Sequence, residues 1–308
     1  MRIVFMGTPE FAVPSLQACL ELGEVVAVVT QPDRPRGRGQ EVSFSPVKAL
    51  AVARGLPVLQ PEKLKAPPFA EVLEPYRPDV AVVTAYGRIL PPEVLAVPAH
   101  GCVNVHASLL PRFRGAAPIQ WALASGDART GVCLMEMDVG MDTGALIDTE
   151  ALDILPTDTS ATLHLKLAAL GGQVLRRSLL PYLRGEKRAV PQPAEGVVMA
   201  PPIPREAGQL DFTRPAVELE RRMRAFTPWP GSSLRTPAGL VKVHGAEVRA
   251  GTGAPGTVLA AGDAGVEVAC GQGSLLLTAL QPEGKRVMTA REFLAGRKVP
   301  LGPGWVLG

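Results

Sequence analysis

The feature that most constrains the fold is the regular alternation of short apolar runs with helix-like segments over the first half of the chain. The runs are rich in valine, which is typical of parallel strands that are buried on both faces. Strand–helix alternation of this kind predicts a doubly wound, mainly parallel α/β sheet, with its ligand site beyond the carboxyl ends of the strands. The predicted strands are residues 2–6, 25–30, 57–59, 80–85, 102–106 and 131–137, and the predicted helices are residues 9–22, 46–54, 69–76 and 118–124.

The second half of the chain follows a different pattern. One more strand is predicted at 145–154, and a helix with regularly spaced leucines follows and ends at Pro181. Residues 181–205 hold six prolines, which indicates a linker. Residues 206–308 switch to short strands between glycine-bearing turns, which predicts a small all-β barrel with a helix leading into it. We therefore expect one domain at 1–180 and another at 206–308.

Composition narrows the class of protein. Of the 308 residues, 46% are hydrophobic and 20% are charged, which excludes a disordered chain. The net charge is only +3, so any nucleic-acid surface must be local. The cysteines form no CxxC pair, and no apolar run is long enough for a signal peptide or a membrane span. We expect a cytoplasmic protein with no disulfide framework, no metal site and no membrane segment.

Two polar residues end the apolar run at 102–106. Asn104 and His106 are two apart, so on a strand they face the same side. Asp142 follows the next predicted strand in a glycine-bearing loop, and it reaches His106 if the two strands are neighbours. The trio suits acyl transfer without a metal: Asn104 and a protonated His106 can stabilise an oxyanion, and Asp142 can assist deprotonation of an amine. The alternative is that His106 satisfies a core hydrogen bond and Asp142 stabilises a turn.

Three loops offer further candidate residues. The turn at Gly7 opens a helix and could line a substrate cleft, but its single glycine argues against a dinucleotide fingerprint. The run 108–111 places two leucines in a loop, as core residues or as an apolar wall for an aromatic ligand. Arg114 could pair with a carboxylate or phosphate. The segment 31–48 carries Arg34, Arg36 and Arg38 beside glycines, and it is either a polyanion-binding loop or a solvated one.

The motifs, in their order along the chain, resemble the methionyl-tRNA formyltransferase family. The resemblance covers essentially the whole chain and is carried by RIVFMGTPEFAVPSL, TQPDRPRGRG, NVHASLLPRFRGAAPIQWAL, MDVGMDTG and AFTPWPGS. The run from Asn104 to Pro111 and the Asp142 turn mark folate-dependent formyltransferases in general, whereas the basic loop and the second domain point to the tRNA-specific branch. Thr227 stands where the family usually has Asn, and Ala107 where it often has Gly.

The resemblance implies that a formyl group passes from 10-formyltetrahydrofolate to the methionyl amine of initiator tRNA. It implies a Rossmann-like formyltransferase domain with Asn104, His106 and Asp142 as the catalytic residues, and an OB-like barrel that binds tRNA. We expect a monomer. The residues implied in contact with folate are Ser108, Leu109, Leu110 and Pro111, and those implied in contact with tRNA are Arg34, Arg36 and Arg38.

Other functions share some of these features. A formyltransferase acting on glycinamide ribonucleotide or an amino sugar nucleotide would use the same trio, as would a formyltetrahydrofolate hydrolase. The length of the chain beyond the first domain disfavours the ribonucleotide enzyme. A nonenzymatic RNA-binding protein built on a relict α/β domain would not need the trio intact.

Overall fold

The computed structural model describes residues 1–36, 41–65, 68–236, 239–296 and 302–307. It shows two compact units. The first consists of Met1–Pro118, Arg129–Asp153 and Leu163–Pro201, and the second of Ile119–Ala128, Ile154–Thr162 and Pro202–Gly308.

Secondary structure covers most of both units. The strands are β1 (Arg2–Gly7), β2 (Glu24–Val29), β3 (Pro35–Arg36), β4 (Glu41–Val42), β5 (Val58–Leu59), β6 (Val80–Thr84), β7 (Cys102–His106), β8 (Arg114–Gly115), β9 (Arg129–Glu136), β10 (Leu146–Asp153), β11 (Met199–Ala200), β12 (Ser232–Thr236), β13 (Gly239–Arg249), β14 (Val258–Gly262), β15 (Gly265–Ala269), β16 (Ser274–Pro282) and β17 (Met288–Thr289). The α-helices are α1 (Val13–Leu22), α2 (Pro46–Ala53), α3 (Phe69–Leu73), α4 (Pro92–Leu95), α5 (Pro118–Ser125), α6 (Ser160–Leu183), α7 (Ala216–Ala225) and α8 (Ala290–Ala295), and short 3-10 helices lie at Glu10–Ala12, Glu74–Tyr76 and Arg205–Gly208.

A seven-stranded sheet forms the centre of the first unit. Its order is β10-β9-β7-β6-β1-β2-β5. The five strands from β5 to β7 are parallel, and β9 and β10 run antiparallel to their neighbours. The prediction of a mainly parallel α/β sheet is confirmed. The apolar run of β9 showed that the strand is buried on both faces, but burial does not specify its direction.

The chain adds strands to the sheet on both sides of β1. It first extends outward from β1 to β2 and β5, and then returns to add β6 and β7 on the opposite side of β1. The carboxyl ends of β1 and β6 therefore flank the switch point at which doubly wound folds bind ligands.

The segment predicted as a linker packs on the first unit over much of its length. Helix α6 continues through Pro181 to Leu183. Val190 then exchanges backbone hydrogen bonds with Leu146 at 2.8 and 2.9 Å, and β11 pairs with β8. Gly115 permits this pairing because its φ of 122° is unfavourable for other residues and a side chain there would meet the Ala200 carbonyl. We call residues 184–201 the return segment.

An antiparallel sheet dominates the second unit. Its strand order is β12-β13-β16-β15-β14, with β17 paired to β16. Helices α7 and α8 supply apolar side chains such as Leu219 and Phe293 to its core. Of the predicted small all-β barrel, the strand-rich antiparallel sheet and the leading helix are confirmed, whereas β12, β17 and α8 were not predicted. Helix α8 has a sequence signal that could have located it, since Thr289 and Glu292 form a capping box.

Candidate active site

The predicted polar pair lies at the carboxyl end of β7, between β6 and β9. Asn104 is aligned with Val83 of β6 on one side and with Met135 of β9 on the other. Asn104 is half-buried and His106 is 6% exposed. The contact between Asp142 and His106 was expected on the condition that β7 and β9 are neighbours. The structure meets that condition.

The imidazole of His106 lies between a carbonyl and a carboxylate. Its Nε2 is 3.0 Å from the carbonyl oxygen of Phe113, and its Nδ1 is 3.7 Å from Oδ2 of Asp142. A carbonyl can only accept, so Nε2 carries a hydrogen. The nitrogen that gains or loses a proton is therefore Nδ1, on the side that faces Asp142. Phe113 itself has a left-handed backbone with φ 62°, which is uncommon for a bulky side chain.

Asp142 lies in the tight loop between β9 and β10. Its backbone is also left-handed, with φ 54°, and its Oδ2 accepts a hydrogen bond of 2.8 Å from the backbone N–H of Gly115. Gly144 closes the loop against the carbonyl of Glu136, where no side chain would fit. Asp138 braces the turn by accepting hydrogen bonds from the Gly140 N–H and the Thr143 hydroxyl. The carboxylate is thus fixed beside the imidazole.

The structure adds a residue that the sequence did not indicate. Gln192 of the return segment donates from Nε2 to the carbonyl oxygens of Asp142 and Gly144, at 2.8 Å each. Its Oε1 accepts from Arg114 at 2.7 and 3.2 Å. Arg114 is thereby engaged by an amide of the protein. Gln192 lies in a proline-rich stretch far along the chain from Asp142, and no local sequence pattern links the two residues.

The four residues implied in folate contacts lie directly after β7, and two of their side chains are buried in the protein. Ser108 is fully buried and donates its hydroxyl hydrogen to the Arg112 carbonyl at 2.7 Å. Leu110 is 7% exposed and packs with Cys133 and Met135. Leu109 and Pro111 are half-buried and are therefore more accessible to a ligand.

Exposed apolar side chains lie in two loops, one after β6 and one between β9 and β10. Ile89 follows β6 and is 83% exposed, whereas Val139 and Met141 lie in the Asp142 loop and are 76% and 53% exposed. Large apolar residues exposed together are typical of ligand-binding surfaces. The sequence placed none of the three in the site, although their position after strand ends was a usable signal.

A cavity of about 350 Å³ opens at the switch point between β1 and β6. Its walls include Thr8 and Pro9 of the N-terminal turn together with Gln31, Asp33 and Tyr86. The turn therefore does line a cleft. Gln31 is fixed there by donating to the Tyr86 carbonyl at 3.0 Å.

The three basic-loop residues differ in how far the structure describes them. Arg34 is exposed and also lines this cavity. Arg36 lies in β3, where the backbone alone is described, and Arg38 lies outside the described residues. At the end of the loop, Ser45 caps α2 by accepting from the Lys48 N–H at 3.2 Å, and the Lys48 ammonium pairs with Asp33.

The arginines of α7 are partly engaged within the second unit. Arg224 pairs with Glu220 at 2.7 Å and donates to the Asp158 carbonyl at 2.9 Å. Arg222 lies over the ring of Phe226, and burial lowers its pKa. These contacts account for part of the basic cluster without a nucleic-acid partner.

The described part of the chain holds neither a cluster of metal ligands nor a membrane-spanning helix. No group of three or more His, Cys, Asp or Glu residues in that part of the chain could hold a metal ion. Nor does any helix among those residues have the length and apolar character needed to cross a membrane.

Both the first and the second part of the chain match known protein families. Residues 1–179 match the formyl transferase family, and residues 202–298 match the formyl transferase C-terminal domain. A methionyl-tRNA formyltransferase from Myxococcus xanthus is 66% identical over 303 residues, which are 98% of this chain and 96% of that protein. One from Stenotrophomonas maltophilia is 54% identical, covering 97% of this chain and 98% of that protein.

Solved structures share the fold at low sequence identity. An N-formyltransferase from Helicobacter canadensis, in complex with folinic acid and dTDP-3-aminofucose, aligns with a TM-score of 0.68 and 17% identity, covering 89% of this chain and 98% of that one. HypX from Aquifex aeolicus, in complex with tetrahydrofolic acid, aligns with a TM-score of 0.61 and 19% identity, covering 97% of this chain and 48% of that one.

Proposed function

The chain belongs to the methionyl-tRNA formyltransferase family, and on that premise we propose that Asn104, His106 and Asp142 transfer a formyl group from 10-formyltetrahydrofolate to the amino group of methionyl-tRNA. The observation that carries the assignment is the contact between His106 Nδ1 and Asp142 Oδ2 at the carboxyl edge of the sheet. The initiator tRNA is the proposed acceptor, and its formylation serves the initiation of translation.

His106 acts through its Nδ1 atom. The Phe113 carbonyl holds the Nε2 hydrogen, so a second proton can enter only at Nδ1. The distance of 3.7 Å to Asp142 is longer than a hydrogen bond. A hydrogen on Nδ1 is therefore able to donate to a reacting oxygen.

Asn104 and Asp142 complete the chemistry. The amine attacks the formyl carbon, a carbon–nitrogen bond forms, and negative charge develops on the formyl oxygen. The Asn104 amide and the His106 imidazolium stabilise that oxygen. Asp142 takes up the amine proton, directly or through a water molecule. The tetrahedral centre then collapses: the C=O bond re-forms, the bond between the formyl carbon and N10 breaks, and N10 receives the proton that Asp142 took from the amine, so that tetrahydrofolate leaves neutral and Asp142 is ionised again.

The surface around the trio suits a flat, partly apolar donor. Ile89 is exposed in the loop after β6, and Val139 and Met141 are exposed in the loop that carries Asp142. We place the folate ring system against these side chains, and Leu109 and Pro111 offer the accessible part of the run 108–111. This arrangement buries apolar surface while it leaves the formyl group facing Asn104 and His106.

The cavity at Thr8 and Gln31 lies at the same edge of the sheet and suits the acceptor end of the tRNA. Arg34, which lines it, belongs to the basic loop together with Arg36 and Arg38, and we propose that this loop contacts the acceptor phosphates. The second domain, residues 206–308, is proposed to bind tRNA as an OB-like barrel. We further propose a monomer that acts in the cytoplasm, where charged tRNA is found.

The proposal is tested by formyl transfer from 10-formyltetrahydrofolate to three acceptors measured in parallel: methionylated initiator tRNA, glycinamide ribonucleotide and water. Fast transfer to the tRNA alone is expected. Equal folate turnover with all three acceptors would keep the trio but contradict the acceptor assignment. Without any folate turnover, the proposed chemistry would be wrong.

The basic loop is tested by Arg34→Ala, Arg36→Ala and Arg38→Ala. Loss of one phosphate contact is expected to lower kcat/KM for tRNA about 10-fold at low salt, to weaken its salt dependence and to leave kcat within about twofold. Arg54→Ala, an exposed arginine after α2, is the matched control. Unchanged tRNA kinetics at several salt concentrations would contradict the assignment of the loop.

A further inference from the structure

We propose that Gln192 is a positioning residue for formyl transfer and that Arg114 orients it. The inference rests on the proposed role of Asp142. Its basis is that the Gln192 carboxamide joins Arg114 to the backbone of the catalytic loop, with Nε2 donating to the Asp142 and Gly144 carbonyls and Oε1 accepting from the guanidinium.

The orientation of the carboxamide is determined by its neighbours. Arg114 only donates, so the Gln192 oxygen must face it, and the NH₂ group must then face the two carbonyls. With the amide reversed, an oxygen would face two oxygens and an NH₂ group would face a guanidinium. Every polar atom of the Gln192 side chain has a complementary partner in the observed orientation.

Asp142 needs support of this kind because its own backbone is strained. Its φ of 54° lies in the left-handed region, which costs free energy and persists only where the surroundings hold it. The hydrogen bond that Gln192 donates to the Asp142 carbonyl acts on the same residue whose carboxylate faces His106. A small rotation there would move Oδ2 away from Nδ1.

The return segment also holds the other group that fixes this carboxylate. The Gly115 N–H donates to Asp142 Oδ2, and β11 holds Gly115 in place through its pairing with β8. The Arg114 N–H also donates to the Val198 carbonyl at 2.9 Å. The return segment therefore supports Asp142 in two ways. Gln192 donates to the backbone carbonyl of Asp142, and β11 holds β8, whose Gly115 N–H donates to the carboxylate.

The direct test is Gln192→Glu. The new carboxylate still accepts hydrogen bonds from Arg114 and adds a charge pair with it, but it has no hydrogen to donate to the two carbonyls and repels them. Because a displacement of about 1 Å in a reacting group can cost about 100-fold in rate, we expect kcat to fall about 10- to 100-fold. The KM for tRNA is expected to stay within about twofold. Gln173→Glu, the same change at an exposed site of α6, is the control.

A double-mutant cycle distinguishes positioning from general damage. Gln192→Glu is added to Asp142→Ala, and single-turnover rates are measured with enzyme in excess. If Gln192 acts through Asp142, its substitution lowers the rate in the wild-type chain and has no further effect once the carboxylate is gone. An equal loss in both backgrounds, or no loss in the wild-type chain, overturns the proposal.

Two further measurements keep the test decisive. Thermal unfolding followed by circular dichroism establishes that the variants are folded, and Arg114→Met, which releases the Gln192 oxygen, replaces Gln192→Glu if that variant does not fold. The same kcat loss and the same dependence on Asp142 are expected from it. If Asp142→Ala alone retains wild-type kcat, the proposed function fails first. If Asp142→Ala is inactive and Gln192→Glu is not impaired, only the present inference is wrong.

Discussion

Two aspartates six residues apart, Asp142 and Asp148, show how the same side chain can be placed in very different surroundings. Asp142 precedes β10 and has a backbone N–H and an imidazole nitrogen as its polar partners. Asp148 lies within β10 and is paired with Lys187 at 3.0 Å and with Arg177 at 2.7 Å, and it also accepts from the Ser178 hydroxyl. The carboxylate of Asp142 faces an imidazole, and the carboxylate of Asp148 faces a lysine and an arginine.

The surroundings explain what each carboxylate can do. Burial raises the pKa of Asp148, but hydrogen bonds from Ser178, Lys187 and Arg177 outweigh it and lower that pKa to about 2. A carboxylate held ionised so firmly is a poor proton acceptor. Both aspartates contact the return segment, Asp148 through Lys187 and Asp142 through Gln192. The difference between the two carboxylates therefore comes from their individual partner residues and not from contact with the segment.

The sharpest test of this contrast compares Asp142→Asn with Asp148→Asn. Removal of the Asp142 carboxylate is expected to lower kcat about 1,000-fold, because a proton acceptor and the partner of the His106 imidazolium are both lost. Asp148→Asn is expected to leave kcat within about twofold. Steady-state kinetics with methionylated initiator tRNA measures both, and comparable losses in the two variants would contradict the division of tasks.

The local part of this contrast could be predicted from the sequence. Strand β7 has the predicted bounds, and the spacing of Asn104 and His106 placed both side chains on one face because strand periodicity is a local property. The proximity of Asp142 followed once β7 and β9 were neighbours. Short-range rules of strand geometry therefore placed the polar pair at the end of β7.

The parts that could not be predicted depend on unusual backbone conformations and on contacts between distant residues. The Phe113 carbonyl fixes the hydrogen of His106 through a left-handed backbone that no composition signal announces. Gln192 reaches Asp142 across 50 positions of sequence, from a stretch whose prolines suggest a linker. The antiparallel direction of β9 was likewise set by chain connection and not by its apolar residues.

A second, smaller effect concerns stability. The pKa of Asp148 is lowered from 3.8 to about 2, so the unfolded chain binds a proton more readily than the folded one in that range. Its contribution is complete above about pH 5 and is lost as the pH falls through 3.8 towards 2. After allowance for screening by solvent, Asp148→Asn is expected to lower the free energy of unfolding by about 1 to 2 kcal/mol at pH 7.

Urea unfolding of the wild type and the variant between pH 7 and pH 2 measures this contribution. The difference between the two proteins should shrink as the pH approaches 2. Asp153→Asn is the control, because Asp153 lies in the same strand as Asp148, is 76% exposed and forms a surface pair with Arg129 of β9. A surface pair of that kind contributes about 0 to 1 kcal/mol. A pH-independent difference for Asp148→Asn would show that its ionisation is not responsible.

The smallest predicted effect distinguishes the two contacts of the return segment, Lys187 with Asp148 and Gln192 with Asp142. Lys187→Met removes the cation that pairs with Asp148 and leaves Gln192 in place. Because Arg177 and Ser178 still contact that carboxylate, the free energy of unfolding is expected to fall by only about 0.5 kcal/mol, with kcat within about twofold. Urea unfolding and steady-state kinetics measure the two quantities. A kcat loss as large as that of Gln192→Glu would mean that the whole segment, and not the Gln192 contact, holds Asp142 in position.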